Sequence, residues 1–452
     1  MATIGNQIAD IIEELTRLQN VPSPYDVADD DFPLPRLIDA GNGGSLVVSR
    51  KLDEGITTVA DALMAADPAL APKYTRAEWR ASVRKSFGPA LVSIDLDIDP
   101  STNADAVLAT IKSDLSRQNA DYGVREYAFG CTLFGNTAIQ PFSIGIVRFE
   151  GRSDWLDRKH RDGDISKTAR RRIERSWEGL RLRKRRPSRD SINERVVRDT
   201  VEESPYVCSV LIDGLAAEAG RDKALTAVRL AMAAIALLWQ TPSKTLEGLN
   251  LNFDRIPHRQ QTLIFLPGVM HSQSSWSHLP RSHWLRPGEW EEIFSANAAH
   301  FRLVGEILAC IVSPTGNVSR PRMTTALAQS LLWFHEGCRD PVSLMGIVKF
   351  SASLDALAMG GGAGGIERLV TARLGIESGI PIRSNGPTLR QAVAQVYREG
   401  RSRTVHGTNS KLGHDWVGTR GLAEQLTRLC LLTCIRWAGE NPTSDDPGEF
   451  SR

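Results

Sequence analysis

The stretch TALAQSLLWFHEGC, residues 325–338, carries apolar side chains three and four positions apart. This spacing places them on one face of a helix, so the stretch predicts an amphipathic α-helix. From about residue 292 onward the same spacing recurs, with Gly, Pro, Asn or Asp between the segments. The sequence therefore predicts a C-terminal helical region with helices over 292–313, 322–338, 341–358, 365–375, 387–406 and 417–438.

The residues before this region mix strand and helix patterns. Runs rich in β-branched and aromatic residues, bounded by Gly, Asn and Pro, predict strands over 45–49, 90–98, 127–135, 141–149 and 206–215. The turn FGNTAIQPF, residues 134–142, suits a hairpin or a short meander. A long helix is predicted over 222–239, and isoleucines at helical spacing predict a docked amphipathic helix at the N-terminus. The predicted fold class is α+β, with a mixed α/β N-terminal part followed by an all-α helical bundle.

At 452 residues the chain is too long for one ordinary hydrophobic core, which predicts two or three domains. Changes in composition place the boundaries. We predict an α+β domain over residues 1–150, a basic segment over 151–200, an α+β middle region packed with the N-terminal domain over 201–318, a helical domain over 319–440 and a flexible tail over 441–452.

A hydrophobic content of 41% and a charged content of 24% are those of a globular protein. No apolar run approaches the roughly 18 to 20 residues that span a bilayer. The N-terminus has no basic patch followed by an apolar core, so we expect no signal peptide. The prediction is a cytoplasmic protein without a membrane partner. Its six scattered cysteines form no C-x-x-C pair and are expected to be buried, reduced thiols.

Sequence motifs for cofactors and metals are few. The phosphate-binding pattern GxxxxGK[ST] is missing, and the run MGGGAGG, residues 359–365, follows no predicted strand, so it is interpreted as a flexible connection. Neither a GxSxG elbow nor HExxH occurs. His258, His271, His278 and His283 are spaced unlike zinc ligands and lie in a Ser- and Pro-rich block. The prediction is therefore no metal and no cofactor.

A strongly basic segment interrupts the otherwise acidic chain. Between residues 158 and 198 there are sixteen Lys and Arg against six Asp and Glu, a net charge of +10 in a chain whose total is +2. Two interpretations stay open: a solvated, charge-rich helix and linker, or a phosphate-binding surface, which suits the planar fork of arginine. The candidate RNA-binding residues are Arg170, Arg171, Arg172, Arg181, Arg183, Lys184, Arg185 and Arg186.

The predicted helix over 325–338 begins a series of segments in a fixed order. The segments that follow it are FSASLDALAM with Asp355, ERLVTARLGI with Arg373, VYREGRSRTVHG ending at Gly407, and GLAEQLTRLCLLTCIRW. In this order, over about residues 320–440, they resemble the HEPN superfamily (higher eukaryotes and prokaryotes nucleotide-binding), in particular its Apea-like branch. The stretch ending at Gly407 is close to the family's Tyr–Arg–Ser–x–x–Val–His–Gly ending. Residues 1–290 resemble no family that we recognise.

The resemblance implies that Arg401 and His406 are a catalytic Arg-x4-His pair. The residues that it places in substrate binding or support of the site are Ser402, Arg403, Tyr397 and Asp355. Two features depart from the family pattern: Tyr397 stands four residues before Arg401, one more than expected, and Ser402 replaces the commoner Asn, Asp or His.

A five-residue separation in a straight helix leaves two side chains about 140° apart. Arg401 and His406 of one chain therefore diverge, unless the helix loosens. Two such helices meeting across a two-fold axis would bring both pairs to one cleft, which matches the shared site of the family's dimers. Gly407 is the natural left-handed residue after the helix. Gly400 would leave space for a partner backbone or for RNA.

The chemistry that the resemblance implies needs no metal, because RNA supplies its own 2′-OH nucleophile. A histidine can move the proton and an arginine can hold the phosphate. We therefore expect a metal-independent endoribonuclease acting on RNA as a homodimer, the effector of a bacterial anti-phage or abortive-infection system, with a possible defence-system partner protein. Two alternatives stay open: a non-catalytic HEPN module for dimerisation or RNA or nucleotide binding, and a nucleic-acid-binding regulator centred on the basic segment.

Overall fold

The structure is a computed structural model that describes residues 3–20, 36–120, 122–135, 139–201, 203–254, 259–267, 269–276, 283–313 and 318–452. The chain folds into two compact units. Unit 1 comprises residues 1–125 and 212–222, and unit 2 comprises residues 126–211 and 223–452. His258 and His278, which entered the metal prediction, lie outside the described residues.

Four helices and a two-stranded hairpin lie in the described residues of the 1–125 segment of unit 1. They are α1 (Ile4–Gln19), β1 (Arg36–Asp39), β2 (Ser45–Val48), α2 (Arg50–Ala66), α3 (Arg76–Val92) and α4 (Pro100–Ala120). α1 packs against α2 and α4, and α3 packs against the same two helices. The predicted N-terminal helix is confirmed, because Ile8, Ile12 and Leu15 are at most 2% exposed in the core of this unit.

The strand predicted over residues 90–98 is wrong. Its first residues end α3, which starts at a capping box in which Thr75 and Glu78 bond each other's backbone N–H groups. Trp79, Val83, Phe87 and Leu91 recur every four residues, and all are buried. A window limited to residues 90–98 contains only the last turn of this apolar stripe, so its branched residues resembled a strand.

Unit 2 contains a five-stranded sheet and most of the helices. The strands of the sheet are β3 (Arg125–Thr132), β4 (Phe142–Ile144), β5 (Val147–Gly151), β6 (Tyr206–Ile212) and β7 (Asn250–Leu251). Their spatial order is β4-β5-β6-β3-β7. β8 (Arg259–Leu266) and β9 (Val269–Trp276) form a separate antiparallel hairpin.

This strand order contradicts the first of the two alternatives for the turn at 134–142, a hairpin of 127–135 with 141–149. Residues 142–151 fold back on themselves as β4 and β5, and β5 then pairs with β6 rather than with β3. The sheet also joins strands from both sides of the predicted boundary at residue 150. The compact units therefore differ from the predicted domains, since long-range strand pairing decides them.

The helices of unit 2 follow or flank these strands. They are α5 (Arg152–Arg161), α6 (Lys167–Trp177), α7 (Arg189–Val201), α8 (Ala217–Ala236), α9 (Pro242–Gly248), α10 (Glu289–Ala296), α11 (Ala298–Val312), α12 (Pro321–Arg339), α13 (Ser343–Leu357), α14 (Gly362–Leu374), α15 (Leu389–Val393), α16 (Arg403–Val405) and α17 (Val417–Glu440), with a π-helical segment over Ala394–Ser402 between α15 and α16. From residue 289 onward the described chain contains no strand longer than one isolated bridge. The predicted α+β class is confirmed. The predicted C-terminal helices are present, except that the one predicted over 292–313 is two helices, Glu289–Ala296 and Ala298–Val312, with a bend of 74° between them.

The C-terminal helices pack around the pair α12 and α13, which α17 covers. Phe334 and Phe350 meet at this pair with ring centroids 5.8 Å apart. Beside them two buried serines bond each other across the helices, because the Ser353 hydroxyl donates to the Ser330 carbonyl at 2.7 Å. A hydroxyl pair that satisfies itself inside an apolar core fixes the register of the two helices.

The predicted flexible tail is instead folded. Residues Pro447–Ser451 form a 3₁₀-helix, and Phe450 is completely buried against Trp437, with ring centroids 5.5 Å apart. Arg373 donates to the carbonyls of Glu449 and Arg452 at 3.2 and 3.1 Å. The polar sequence of the tail did not predict this anchoring, because only one aromatic residue, Phe450, and one distant arginine, Arg373, provide it.

Five of the six cysteines are buried, and none forms a disulfide. Burial raises the pKa of Cys430 to about 12, so this thiol stays protonated at neutral pH. Within the described residues no single helix is long and apolar enough to cross a membrane.

Candidate functional site

The helix that carries Arg401 and His406 is not uniformly α-helical. It begins at a capping box formed by Thr388 and Gln391. Its middle, residues 394–402, has π-helical hydrogen bonding, so each turn holds about one residue more than the 3.6 of an α-helix. The helix ends at Gly407, whose φ of +70° is left-handed as predicted, and Thr408 N–H closes it on the Arg403 carbonyl at 2.8 Å.

The inner face of the π segment packs on α13. A Cβ at position 400 would lie 2.5 Å from Ile347 Cγ2, so only glycine allows this approach. The Ser351 hydroxyl donates to the Val396 carbonyl at 3.3 Å, giving that carbonyl a partner outside the helix. A side chain that bonds into the backbone ladder is a common cause of irregular helix geometry. Gly400 therefore serves packing within the chain, and the predicted role of leaving space for RNA or a partner is not needed to explain it.

We expect Gly400→Ala to lower the free energy of unfolding by about 1–3 kcal/mol, because the added methyl group is forced against Ile347. Equilibrium urea unfolding of the purified protein measures this difference. Gly418→Ala is the matched control, since Gly418 lies on α17 with no atom within 4 Å of a Cβ placed there. Equal stability of both variants would contradict the tight approach of the two helices.

Arg401 is held by two neighbours. Its Nη1 donates to the Tyr397 hydroxyl at 2.8 Å, and the guanidinium carbon lies 4.8 Å from the centroid of the Tyr397 ring. Its Nη2 lies 3.5 Å from an Asp355 carboxylate oxygen. The other oxygen of Asp355 accepts from Gly362 N–H at 3.0 Å, at the start of α14. Three helices thus position one guanidinium.

This arrangement leaves Arg401 accessible. Its side chain is 28% exposed, against 15% for Asp355. The hydrogen bond and the stacking on Tyr397 restrict its rotamers, which reduces the entropy lost when it binds an anion. Asp355 partly offsets the positive charge of Arg401, so an incoming phosphate competes with the Asp355 carboxylate for the Arg401 guanidinium.

His406 lies at the exposed end of the helix. Its backbone N–H bonds to the Ser402 carbonyl at 3.0 Å, whereas its ring forms no hydrogen bond or ion pair with the described residues. Arg403 is exposed beside it, and Ser402 is half-buried without a side-chain hydrogen bond to the described chain. The imidazole is thus free to bind a ligand or a second molecule.

The predicted site residues form two groups within one chain. Tyr397, Asp355 and Arg401 are in contact, while His406 and Arg403 lie beyond them at the end of the helix. The π segment includes Arg401 and ends at Ser402, and the three residues between it and His406 are α-helical.

The candidate residues of the basic segment also divide into two groups. Arg170 pairs with Asp157 and Glu174, Arg172 with Glu194, and Arg185 with Asp190 and Glu194. These three arginines link α5, α6 and α7 through ion pairs. The others are exposed and without an ion pair to the described residues, namely Arg171, Arg181, Arg183, Lys184 and Arg186.

A cleft of about 810 Å³ in unit 2 has no counterpart among the sequence motifs. His335 lies in it, 1% exposed, with Nδ1 bonded to Glu336 at 3.1 Å and Nε2 accepting from Arg339 at 3.1 Å. Burial lowers the pKa of His335, so its ring is neutral at pH 7. Both ring nitrogens are engaged, which leaves no lone pair for a substrate. Arg339 also donates to the Leu249 carbonyl at 2.6 Å, so this network joins α12 to the end of α9.

In comparisons with family models, with curated proteins and with solved structures, nothing matches the chain.

Proposed function

We propose that the protein is a metal-independent endoribonuclease whose site is formed by Arg401 and His406. The observation that carries the proposal is the contrast between these two side chains. Arg401 is oriented by Tyr397 and Asp355, while the exposed imidazole of His406 has no partner in the described chain. An oriented phosphate-binding group near an unengaged proton carrier is what RNA cleavage requires.

In the proposed reaction His406 accepts the proton of the ribose 2′-OH. The 2′-oxygen attacks phosphorus, and the bond from phosphorus to the 5′-oxygen breaks. The leaving 5′-oxygen then takes this proton from the same imidazolium, which returns His406 to its neutral form, and the arginine comes from the second copy. Arg401 binds the non-bridging oxygens as their charge increases. The products are a 2′,3′-cyclic phosphate and a 5′-hydroxyl, and DNA is not cleaved because it lacks the nucleophile.

In the proposal two copies form one site, with Arg401 from one copy and His406 from the other. A test is to mix Arg401→Ala subunits with His406→Ala subunits under conditions that allow exchange. A shared site predicts cleavage by the mixture, because a mixed dimer contains one intact Arg401 and one intact His406. Two inactive variants that stay inactive after exchange, shown to have mixed by a tag on one of them, would oppose the shared site.

The setting that we propose for this activity is bacterial defence in the cytoplasm, as an anti-phage or abortive-infection effector. Residues before the helical region would then sense a trigger or bind a defence-system partner protein. An indiscriminate ribonuclease must be restrained in a healthy cell, and this part of the chain is large enough to do so. Loss of protection against phage in the His406→Ala strain, with normal protein levels, tests the assignment.

One observation favours a second candidate, a non-catalytic module that binds RNA or nucleotide. Arg401 already has a carboxylate at 3.5 Å, and a silent site could use the same ion pair purely for packing. RNA binding without cleavage, unchanged by His406→Ala, distinguishes the second candidate from the nuclease, and Asp355→Asn tests whether Arg401 binds phosphate at all. It should strengthen RNA binding if Arg401 binds phosphate, because a competing charge is removed, whereas a packing role predicts lower stability and unchanged RNA affinity.

The five exposed cations of the basic segment are proposed to bind the RNA backbone. Changing Arg171, Arg181, Arg183, Lys184 and Arg186 to Gln should weaken RNA binding and flatten its salt dependence, by about 0.7 in the log–log slope for each phosphate that is no longer neutralised. Fluorescence anisotropy at several salt concentrations measures the slope. Lys85→Gln with Lys112→Gln, two exposed lysines of unit 1, is the control. An unchanged slope in the fivefold variant would leave the segment with a purely structural role.

A further inference from the structure

A second cavity of unit 2 has the composition of an anion site. Its volume is about 440 Å³, and it lies between α11 and α17, beside the end of α8. On α17 its lining residues recur every three to four positions, so they form one face of the helix. This face alternates arginines, Arg428 and Arg436, with the apolar side chains of Leu432 and Ile435.

Three arginines line the cavity: Arg428, Arg436 and Arg302 of α11. None of them forms an ion pair with a carboxylate of the described residues. Glu440 is the one carboxylate in the lining. Glu306, one turn beyond Arg302, is bound to Arg320 at 2.5 Å. The lining therefore carries a net charge of +2.

Arg428 is the least exposed of the three. It is half-buried, and its only hydrogen bond within the described chain goes from Nε to the Leu237 carbonyl at 2.9 Å. Four N–H groups remain for a ligand. Glu424, one turn earlier on α17, accepts from Ser243 N–H at 2.8 Å and is thus engaged elsewhere. Burial lowers the pKa of Arg428, although the Glu424 carboxylate acts in the opposite direction.

His300 completes the polar part of the cavity without adding charge. Its Nε2 lies 3.3 Å from the Ala234 carbonyl, so this nitrogen carries the proton. Burial lowers the pKa of His300 to about 4, and the ring is neutral at pH 7. Leu238, Leu432 and Ile435 supply the apolar wall of the cavity. The volume is within the range of small-molecule sites.

We propose that this cavity binds a small organic phosphate, with the dianionic group on the three arginines and an apolar body on the leucine and isoleucine wall. A dianion matches the net charge of +2, and the arginine fork pairs with phosphate oxygens. The apolar wall favours a ligand with a ring or alkyl group over inorganic phosphate. The proposal is independent of the nuclease site, since it uses no residue of that site.

The experiment is isothermal titration calorimetry of the full chain with phenyl phosphate, inorganic phosphate, benzoate and phenol. We expect phenyl phosphate to bind at least about tenfold more tightly than inorganic phosphate or benzoate, and phenol not to bind. In the double variant Arg302→Gln, Arg436→Gln, affinity for phenyl phosphate should fall about tenfold or more. Both side chains are exposed, so the change should not impair folding.

Two control variants separate the charged and the apolar parts of the site. Arg383→Gln removes an exposed arginine outside the cavity and should bind phenyl phosphate as the wild type does. Leu432→Ala should weaken phenyl phosphate while leaving inorganic phosphate unchanged, because only the apolar wall is shortened. Equal affinities for phenyl phosphate and inorganic phosphate, wild-type binding by the double variant, or no binding of phenyl phosphate would each overturn the proposal.

Discussion

His406→Ala is expected to slow RNA cleavage in EDTA by about 10²- to 10⁴-fold, the usual contribution of general acid–base catalysis. The reason is that the imidazole is the group proposed to move protons at both the attacking and the leaving oxygen. Its exposure and its lack of a partner in the described chain mean that the substitution should leave the fold intact. A gel assay with a labelled RNA, followed by end-group analysis for a 2′,3′-cyclic phosphate, measures the effect.

The matched control is His414→Ala. His414 is also exposed and lies eight residues further along the chain, in the loop after Gly407. The His414→Ala variant should cleave RNA at the wild-type rate. Arg401→Lys provides a second test, because it keeps the charge and loses the bidentate fork. Equal cleavage by wild type and His406→Ala would rule out this site. If the wild-type protein cleaves no RNA, either purified or in phage-infected cells, the activity is ruled out.

Phe450→Ala should lower the free energy of unfolding by about 3–5 kcal/mol. The Phe450 side chain is completely buried, and its ring packs edge-on against Trp437 of α17. Removing it leaves a cavity between the tail, α14 and α17. Because Arg373 bonds the carbonyls of the same tail and stacks on Trp437, the substitution should release the whole terminal segment.

Thermal unfolding and hydrogen exchange of the backbone amides measure the effect of Phe450→Ala. The midpoint of unfolding should fall, and protection should be lost first in the C-terminal half of α17. Phe253→Ala is the control, since Phe253 is 58% exposed and its removal should change stability by less than about 0.5 kcal/mol. Similar effects of the two substitutions would show that the tail is flexible, as its composition suggests.

The helical region was predictable because its signals are local. Leu327, Leu331 and Phe334 are three or four residues apart, and all are completely buried on one face of α12. Gly407 ends its helix in the predicted left-handed conformation, since glycine alone adopts it without cost. The strand prediction over 90–98 was wrong because the apolar stripe that indicates a helix there begins eleven residues earlier, at Trp79, outside the stretch on which the prediction rested.

The site was only partly predictable. The resemblance selected Tyr397, Asp355 and Arg401, and the fold brings these three into contact. The π segment between Ala394 and Ser402 had no signal in the sequence, because it depends on a hydroxyl and an isoleucine of α13. In the basic segment the sequence gives the charge of each arginine, but it does not predict which carboxylate pairs with it, such as Glu194 with Arg172.

The sequence by itself determined the elements that arise from neighbours three or four residues apart: the C-terminal helices, their ends and the order of the candidate motif. Tertiary structure alone decided the strand order, the anchoring of the tail and the pairing of the charges. Pairing of β5 with β6, burial of Phe450 and the hydrogen bond of Arg428 to Leu237 all depend on residues more than ten positions distant. Such interactions form only when the chain has folded, since loop closure and burial, and not local spacing, select them.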